Sequence, residues 1–132
     1  MFLDASAIVA ILTSEEDGDA LAQRLDAASE RYTSGLAIFE TVAALARKRT
    51  YSADEARTIV RRFLEMAEVK LHSIGQKESE AALTAFERFG KGRHSASLNM
   101  GDCFAYGCAK SLGVPLLFKG DDFPRTDIEP AV

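Results

Sequence analysis

The sequence has only two cysteines and two histidines among its 132 residues, which leaves neither a disulfide framework nor a plausible zinc ligand set. Cys103 and Cys108 lie on one predicted helix without C-x-x-C spacing and read as small buried hydrophobes. Long apolar runs are missing too. No stretch approaches the roughly 20 residues that span a bilayer, and no charged segment leads into an apolar h-region. The expectation is a cytoplasmic protein with no membrane contact. Basic charge is not in excess: 16 Lys and Arg against 20 Asp and Glu give a formal net charge of −4. That balance argues against plain electrostatic adhesion to nucleic acid, but it allows an enzyme that gathers acids round a metal. Linkers, internal repeats and low-complexity segments are also lacking. With 47% apolar residues, the chain is expected to form a single domain over residues 1–132.

What is present is an alternation of strands and helices. Met1 to Leu12 starts apolar, meets one acid at Asp4, passes Ser6 and becomes apolar again, the pattern of a buried strand running into a helix. Ser14-Glu15-Glu16-Asp17 has the form of a capping box, with Leu21, Leu25 and Ala28 following at helical spacing. Residues 31–34 read as a short strand. Gly35 to Arg49 reads as a helix apolar almost all round and therefore buried, with Glu40 its only charge before Arg47. Ser52-Ala53-Asp54-Glu55 opens another helix, with Ile59, Val60, Phe63 and Leu64 inward and Arg57, Arg61 and Arg62 elsewhere. Val69 to Ile74 is expected as a strand, and Gln76 to Phe89 as a helix whose inner stripe is Ala82, Leu83, Phe86 and Phe89. A basic, small-residue loop from Gly90 to Ser97 leads to a helix closed by Gly113. Leu116-Leu117-Phe118 is a last buried strand, and Thr126-Asp127-Ile128 a candidate edge strand. Strands alternating with helices imply right-handed crossovers, hence a mainly parallel sheet between two helical layers.

In such a sheet Asp4 and the Asp121/Asp122 pair both follow strands, at the carboxyl edge where ligands bind in open α/β folds. Asp102 stands in the first turn of a helix, and Glu40 inside an apolar one. Singly, each has a plainer reading. Asp4 or Ser6 caps a helix, Asn99 and Asp102 form a cap, Asp121 and Asp122 are turn residues beside Gly120, and Glu40 pairs with Arg47. Jointly they form an all-oxygen donor set, which suits Mg²⁺ or Mn²⁺ and, through a metal-activated water, phosphodiester hydrolysis. Two other classes compete. An aspartate-nucleophile phosphatase would want a second acid two residues after Asp4, where Ser6 stands, and a non-catalytic interaction module would use the acids only as caps and ion pairs.

The chain resembles the PIN-domain proteins, and among them the VapC-type toxin ribonucleases. The resemblance rests on Phe2-Leu3-Asp4-Ala5-Ser6-Ala7, Glu40, the run from Gly90-Lys91-Gly92-Arg93-His94 through Leu98-Asn99-Met100-Gly101-Asp102-Cys103, and Leu117-Phe118-Lys119-Gly120-Asp121-Asp122-Phe123, in that order over essentially the whole chain. It implies a three-layer α/β/α PIN-like fold and a metal-dependent endoribonuclease, the toxin of a toxin–antitoxin pair, held by a cognate VapB-type antitoxin and usually dimeric. Carried over, Asp4 and Asp102 match the main metal ligands, Glu40 the third acid and Ser6 the supporting hydroxyl. The Gly-x-Asp-Phe form favours Asp122 as the fourth acid, with Asp121 its competitor. Asn99 is expected to support the site. Lys91, Arg93, His94 and Lys119 are the candidate contacts to RNA, because they adjoin these acids. Arg47, Lys48, Arg49, Arg57, Arg61 and Arg62 read as a solvated face. The RNA target, the antitoxin's identity and the number of metal ions are not encoded in these patterns.

Overall fold

A computed structural model describes residues 1–48 and 50–132. The elements run β1 (Phe2–Leu3), α1 (Ala5–Leu12), α2 (Gly18–Ala27), β2 (Tyr32–Thr33), α3 (Gly35–Lys48), α4 (Ala53–Met66), β3 (Lys70–Leu71), α5 (Gln76–Phe89), α6 (Met100–Leu112) and β4 (Leu116–Leu117), before a 3₁₀ turn at Phe123–Arg125. The four strands form one parallel sheet in the order β3-β2-β1-β4. The chain therefore winds outward from β1 through β2 to β3, then returns to the other side of β1 with β4. The crevice between the carboxyl ends of β1 and β4 is the topological switch point, where an open α/β sheet binds its ligands.

Alternation along each two-residue strand separates the layers. Phe2 and Leu116 face the core formed with Ala82, Phe89, Tyr106 and Cys108 of α5 and α6. Leu3 and Leu117 face the opposite core, with Ile8, Leu21 and Leu25 of α1 and α2. Leu45, Ala56 and Val60 form a third cluster inside the α3–α4 hairpin. Cys103 and Cys108 are both buried and free, in keeping with their reading as hydrophobes.

Several local expectations are corrected. Ser14 to Asp17 forms no capping box: Ser14 takes a positive φ of 51°, and α2 starts only at Gly18, with no side-chain cap bond from Asp17. The predicted strand over residues 69–74 shrinks to Lys70–Leu71. In α5 the inner stripe is Ala82, Ala85 and Phe89, while Leu83 and Phe86 are 61% and 43% exposed. The small Ala85 and Gly107 explain the rotation, because they let α5 and α6 close on each other; a Cβ on Gly107 would lie 2.7 Å from the Glu78 carbonyl oxygen. α3 is less enclosed than its composition implies, with Ala37, Thr41 and Leu45 buried and Phe39 71% exposed. Residues 126–128 form no strand. Asp127 instead accepts a 2.6 Å hydrogen bond from the Tyr106 hydroxyl and pairs with Arg88 and Lys110, pinning the tail to α5 and α6. Arg49 lies outside the described residues.

Candidate active site

Asp4 follows β1 and is 5% exposed. It is the N-cap of α1: its Oδ2 accepts the Ser6 amide at 3.1 Å and also the Ser6 hydroxyl. Ser6 Oγ in turn accepts the Lys119 amide at 3.0 Å. One serine thus ties the end of β1 to the segment after β4, and the plain capping role and a role in the site fall on the same carboxylate.

Asp102 stands in the first turn of α6 in a reciprocal box. Asn99 Oδ1 accepts the Asp102 amide at 2.8 Å, and Asp102 Oδ2 accepts the Asn99 amide at 3.1 Å. The cap leaves the other carboxylate oxygen outside it. Glu40 reaches this helix end from α3, its carboxylate lying over Gly101, where a Cβ would stand 2.0 Å from Glu40 Oε2. Only glycine leaves that space. Gly101 is thus part of the site although sequence reading passed over it; its one signal was a glycine in the first turn of a helix. Among the described residues Glu40 forms no ion pair, so the expected alternative of an Arg47 partner is not realised.

The electrostatics follow from this crowding. Burial pushes the Asp4 carboxyl above its ordinary range, against the hydrogen bonds from Ser6. Glu40 is pushed up to about 7, first by burial and then by the charges of Asp4 and Asp102. Asp102 is pushed up to about 6 by burial and by Asp4 and Asp122, against the cap bond from Asn99. Asp122 therefore lies within electrostatic reach of Asp102, whereas Asp121 does not figure among its neighbours. Both aspartates are exposed and follow Gly120, whose φ of +118° few other residues tolerate and which turns the chain past the sheet edge.

The acids are neighbours, not a closed cage. Among the described residues no three His, Cys, Asp or Glu side chains are already gathered round a point that would hold an ion. Mutual repulsion accounts for that spread, and the donor chemistry is still that of a hard divalent cation: oxygen only, partly desolvated, and with no basic side chain among the causes acting on Asp4, Glu40 or Asp102.

The basic candidates divide. Lys119 lies beside the site, but its ammonium pairs with Glu15 and, at 3.2 Å, with Asp17. Lys91, Arg93 and His94 are exposed on the α5 side of the α6 N-terminus. Arg93 stacks over Phe86 at 5.0 Å, and His94 Nδ1 accepts the Ala96 amide at 3.0 Å while its ring meets Phe89 edge-on. Their recorded contacts are with this loop and α5, not with the acids. Exposed aromatics, not evident from the sequence, are present in Phe39 and Phe86. Lys48, counted with the solvated face, and Glu15, read as part of a cap, also border the groove beside Glu40.

Residues 1–129 match the family model for the PIN domain. The chain is 41% identical over 128 residues to VapC ribonuclease Mb0640 of Mycobacterium bovis, covering 97% of this chain and 95% of that protein. It is 42% identical over 139 residues to VapC ribonuclease R02377 of Rhizobium meliloti, covering 96% and 98%. Among solved structures it is similar to Mycobacterium tuberculosis VapC20, described as a sarcin-ricin loop cleaving toxin, with a TM-score of 0.74 and 16% identity over 96% of this chain and 95% of that one. At that identity the likeness speaks for the fold.

Proposed function

The chain belongs to the PIN-domain family, and from that premise we propose that it is a metal-dependent endoribonuclease, the toxin of a VapBC-type pair. The observation that carries the reading is acidic charge gathered at the switch point of the sheet without a basic partner: Asp4, Glu40 and Asp102 raise one another's pKa. Charge of one sign is placed there at a cost unless a cation joins it.

Asp4, Asp102 and Asp122 are the metal ligands in this reading, with Glu40 close by as the third acid of the catalytic set. Asp122 is preferred over Asp121 because it is the one that acts on Asp102. Mg²⁺ or Mn²⁺, when bound, supplies Lewis acidity and neutralises charge on the phosphodiester. The protein's own residues do the positioning. Ser6 holds the Asp4 carboxylate, Asn99 holds that of Asp102, and Gly101 makes room for Glu40. Lys91, Arg93, His94 and Lys119 are assigned to RNA contacts, and residues 1–132 to a single PIN-like domain. A VapB-type antitoxin and a second copy of the chain are the proposed protein partners. Exposed Leu83, Phe86 and Met100 along one apolar cleft support a partner-covered surface. Among the described residues no helix is long and apolar enough to cross a membrane, and the proposed site of action is the cytoplasm.

The test is incubation of purified protein with single-stranded RNA and, separately, with a phosphate monoester, with and without millimolar Mg²⁺ or Mn²⁺. Cleavage of RNA alone, dependent on metal and lost in Asp4→Asn, is expected. Intact RNA under all conditions would sink the reading, and monoester hydrolysis would transfer it to the phosphatase class.

A further inference from the structure

We propose that Lys48 and Lys119, bridged by Glu15, form an exchange site for a phosphate of the RNA backbone at the entrance to the acidic groove. This rests on the ribonuclease reading and adds to it a binding subsite with a built-in competitor.

Three separate segments meet here. Lys48 ends α3, Glu15 lies in the turn between α1 and α2, and Lys119 follows β4. Glu15 Oε1 accepts from Lys48 Nζ at 2.7 Å, and Glu15 Oε2 accepts from Lys119 Nζ. One carboxylate thus presents one oxygen to each ammonium, as a phosphodiester presents its two non-bridging oxygens to a pair of cations. The side chain of Glu15 is 19% exposed, whereas those of Lys48 and Lys119 are 53% and 37% exposed, so both ammoniums are open to an incoming anion. Ion pairs this exposed are weak and readily exchanged. The two lysines hold the Glu15 carboxyl down at about 2, so the competitor is charged throughout the physiological range.

The position of the bridge assigns it to the substrate path. Ser6, Glu40 and Arg47 line the same polar groove as Glu15, Lys48 and Lys119. The amide of Lys119 donates to Ser6 Oγ, which donates to Asp4, so the bridge is two hydrogen bonds from the acid at the sheet edge. A strand whose phosphate displaces Glu15 runs on directly toward the acids. After release the carboxylate recaptures both lysines, which limits the hold on product.

The test measures affinity for a labelled single-stranded RNA by fluorescence anisotropy over a salt series. The protein carries Asp4→Asn and EDTA is present, so the strand stays whole whether or not the ribonuclease reading holds. Lys48→Gln and Lys119→Gln are each expected to weaken binding several-fold and to make the slope of log affinity against log salt shallower by roughly 0.7, the value of one lost phosphate contact on a single strand. Lys48→Arg and Lys119→Arg are expected to restore both. Glu15→Gln is expected to strengthen binding and steepen the slope, the opposite of what loss of a structural brace does. Lysine variants with the parent's slope, or a folded Glu15→Gln protein that binds no better than the parent, would overturn the proposal. Failure of the ribonuclease reading shows separately, as intact RNA in the metal-containing assay of the parent protein.

Discussion

At the scale of single residues the question turns on Glu40. Its burial in an apolar helix was legible as an anomaly in the sequence, but what it faces was not, because Gly101 lies 61 positions away and carries no side chain to mark the contact. Since Glu40 has no cation partner among the described residues and its charge is opposed by Asp4 and Asp102, neutralising it removes repulsion. Glu40→Gln is therefore expected to leave metal-free stability equal or higher in urea unfolding, while RNA cleavage falls by about 10- to 100-fold or more, as loss of a group supporting a metal site does. A strongly destabilised Glu40→Gln protein that cuts RNA at the parent rate would count against the assignment. The same repulsion sets a pH dependence. A carboxyl whose pKa rises on folding keeps a proton that the unfolded chain has released, so stability is full below the unfolded value and falls as pH rises through the folded one. The window runs from 4.5 to about 7 for Glu40 and from 3.8 to about 6 for Asp102. Metal-free protein is expected to lose stability as pH is raised across it, with Glu40→Gln flattening the upper part of the curve. Equilibrium unfolding at graded pH reads this directly.

At the scale of elements, the N-terminal half of α6 carries both the site and the packing, and its two glycines separate the roles. At Gly101 an added Cβ meets the end of the flexible Glu40 side chain, which can swing away. Gly101→Ala is thus expected to hold stability within about 1 kcal/mol, helped by the better helix propensity of alanine, while displacing Glu40 and cutting RNA cleavage sharply. At Gly107 the Cβ meets backbone, 2.7 Å from Glu78 O and 2.9 Å from Ala82 N, so α5 and α6 must separate. Gly107→Ala is expected to cost about 1 to 3 kcal/mol by overpacking, with cleavage by the folded fraction largely kept. Thermal melts and initial rates on both variants check the pair, and equal effects on stability would refute the division. The caps show what local sequence could tell. The boxes at Ser52 and Asn99 form as read, because each closes on its own helix within three residues. The box at Ser14 fails because its segment is bent by tertiary contact: Glu15 is drawn to Lys48 and Lys119, and the Gly18 backbone presses against Ala10, partners that no local pattern displays. The stripe of α5 was misplaced for the same reason, since Ala85 is buried by α6 and Leu83 is not.

For the whole molecule, the order of strands and helices was readable from the alternation of patterns, and with it the edge where Asp4 and Asp122 lie, because a parallel sheet allows few arrangements of so short a chain. The length of the strands was not readable: each pairs over only two residues, and the neighbouring apolar positions serve packing rather than the ladder. A sheet this small leaves the switch point dependent on what joins its edges, and there the Ser6 bridge from Asp4 to Lys119 works against the repulsion among the acids. A divalent cation bound to the native state relieves that repulsion and has no comparable site in the unfolded chain, so it stabilises the fold by mass action, by about 2.7 kcal/mol at a hundred times its Kd. For a domain of this size that corresponds to a rise in Tm on the order of 10 °C. Thermal melts titrated with Mg²⁺ and Mn²⁺ are expected to show a concentration-dependent rise that is much reduced in Asp4→Asn, and larger at neutral pH than at pH 5, where Glu40 and Asp102 are already protonated. Asp4→Asn keeps the helix cap, because asparagine caps as well as aspartate, so a lost response in that variant reports on the ion rather than on α1. Melting curves indifferent to millimolar metal at neutral pH would remove the metal site, and with it the reason for three buried or half-buried acids to share one edge of the sheet.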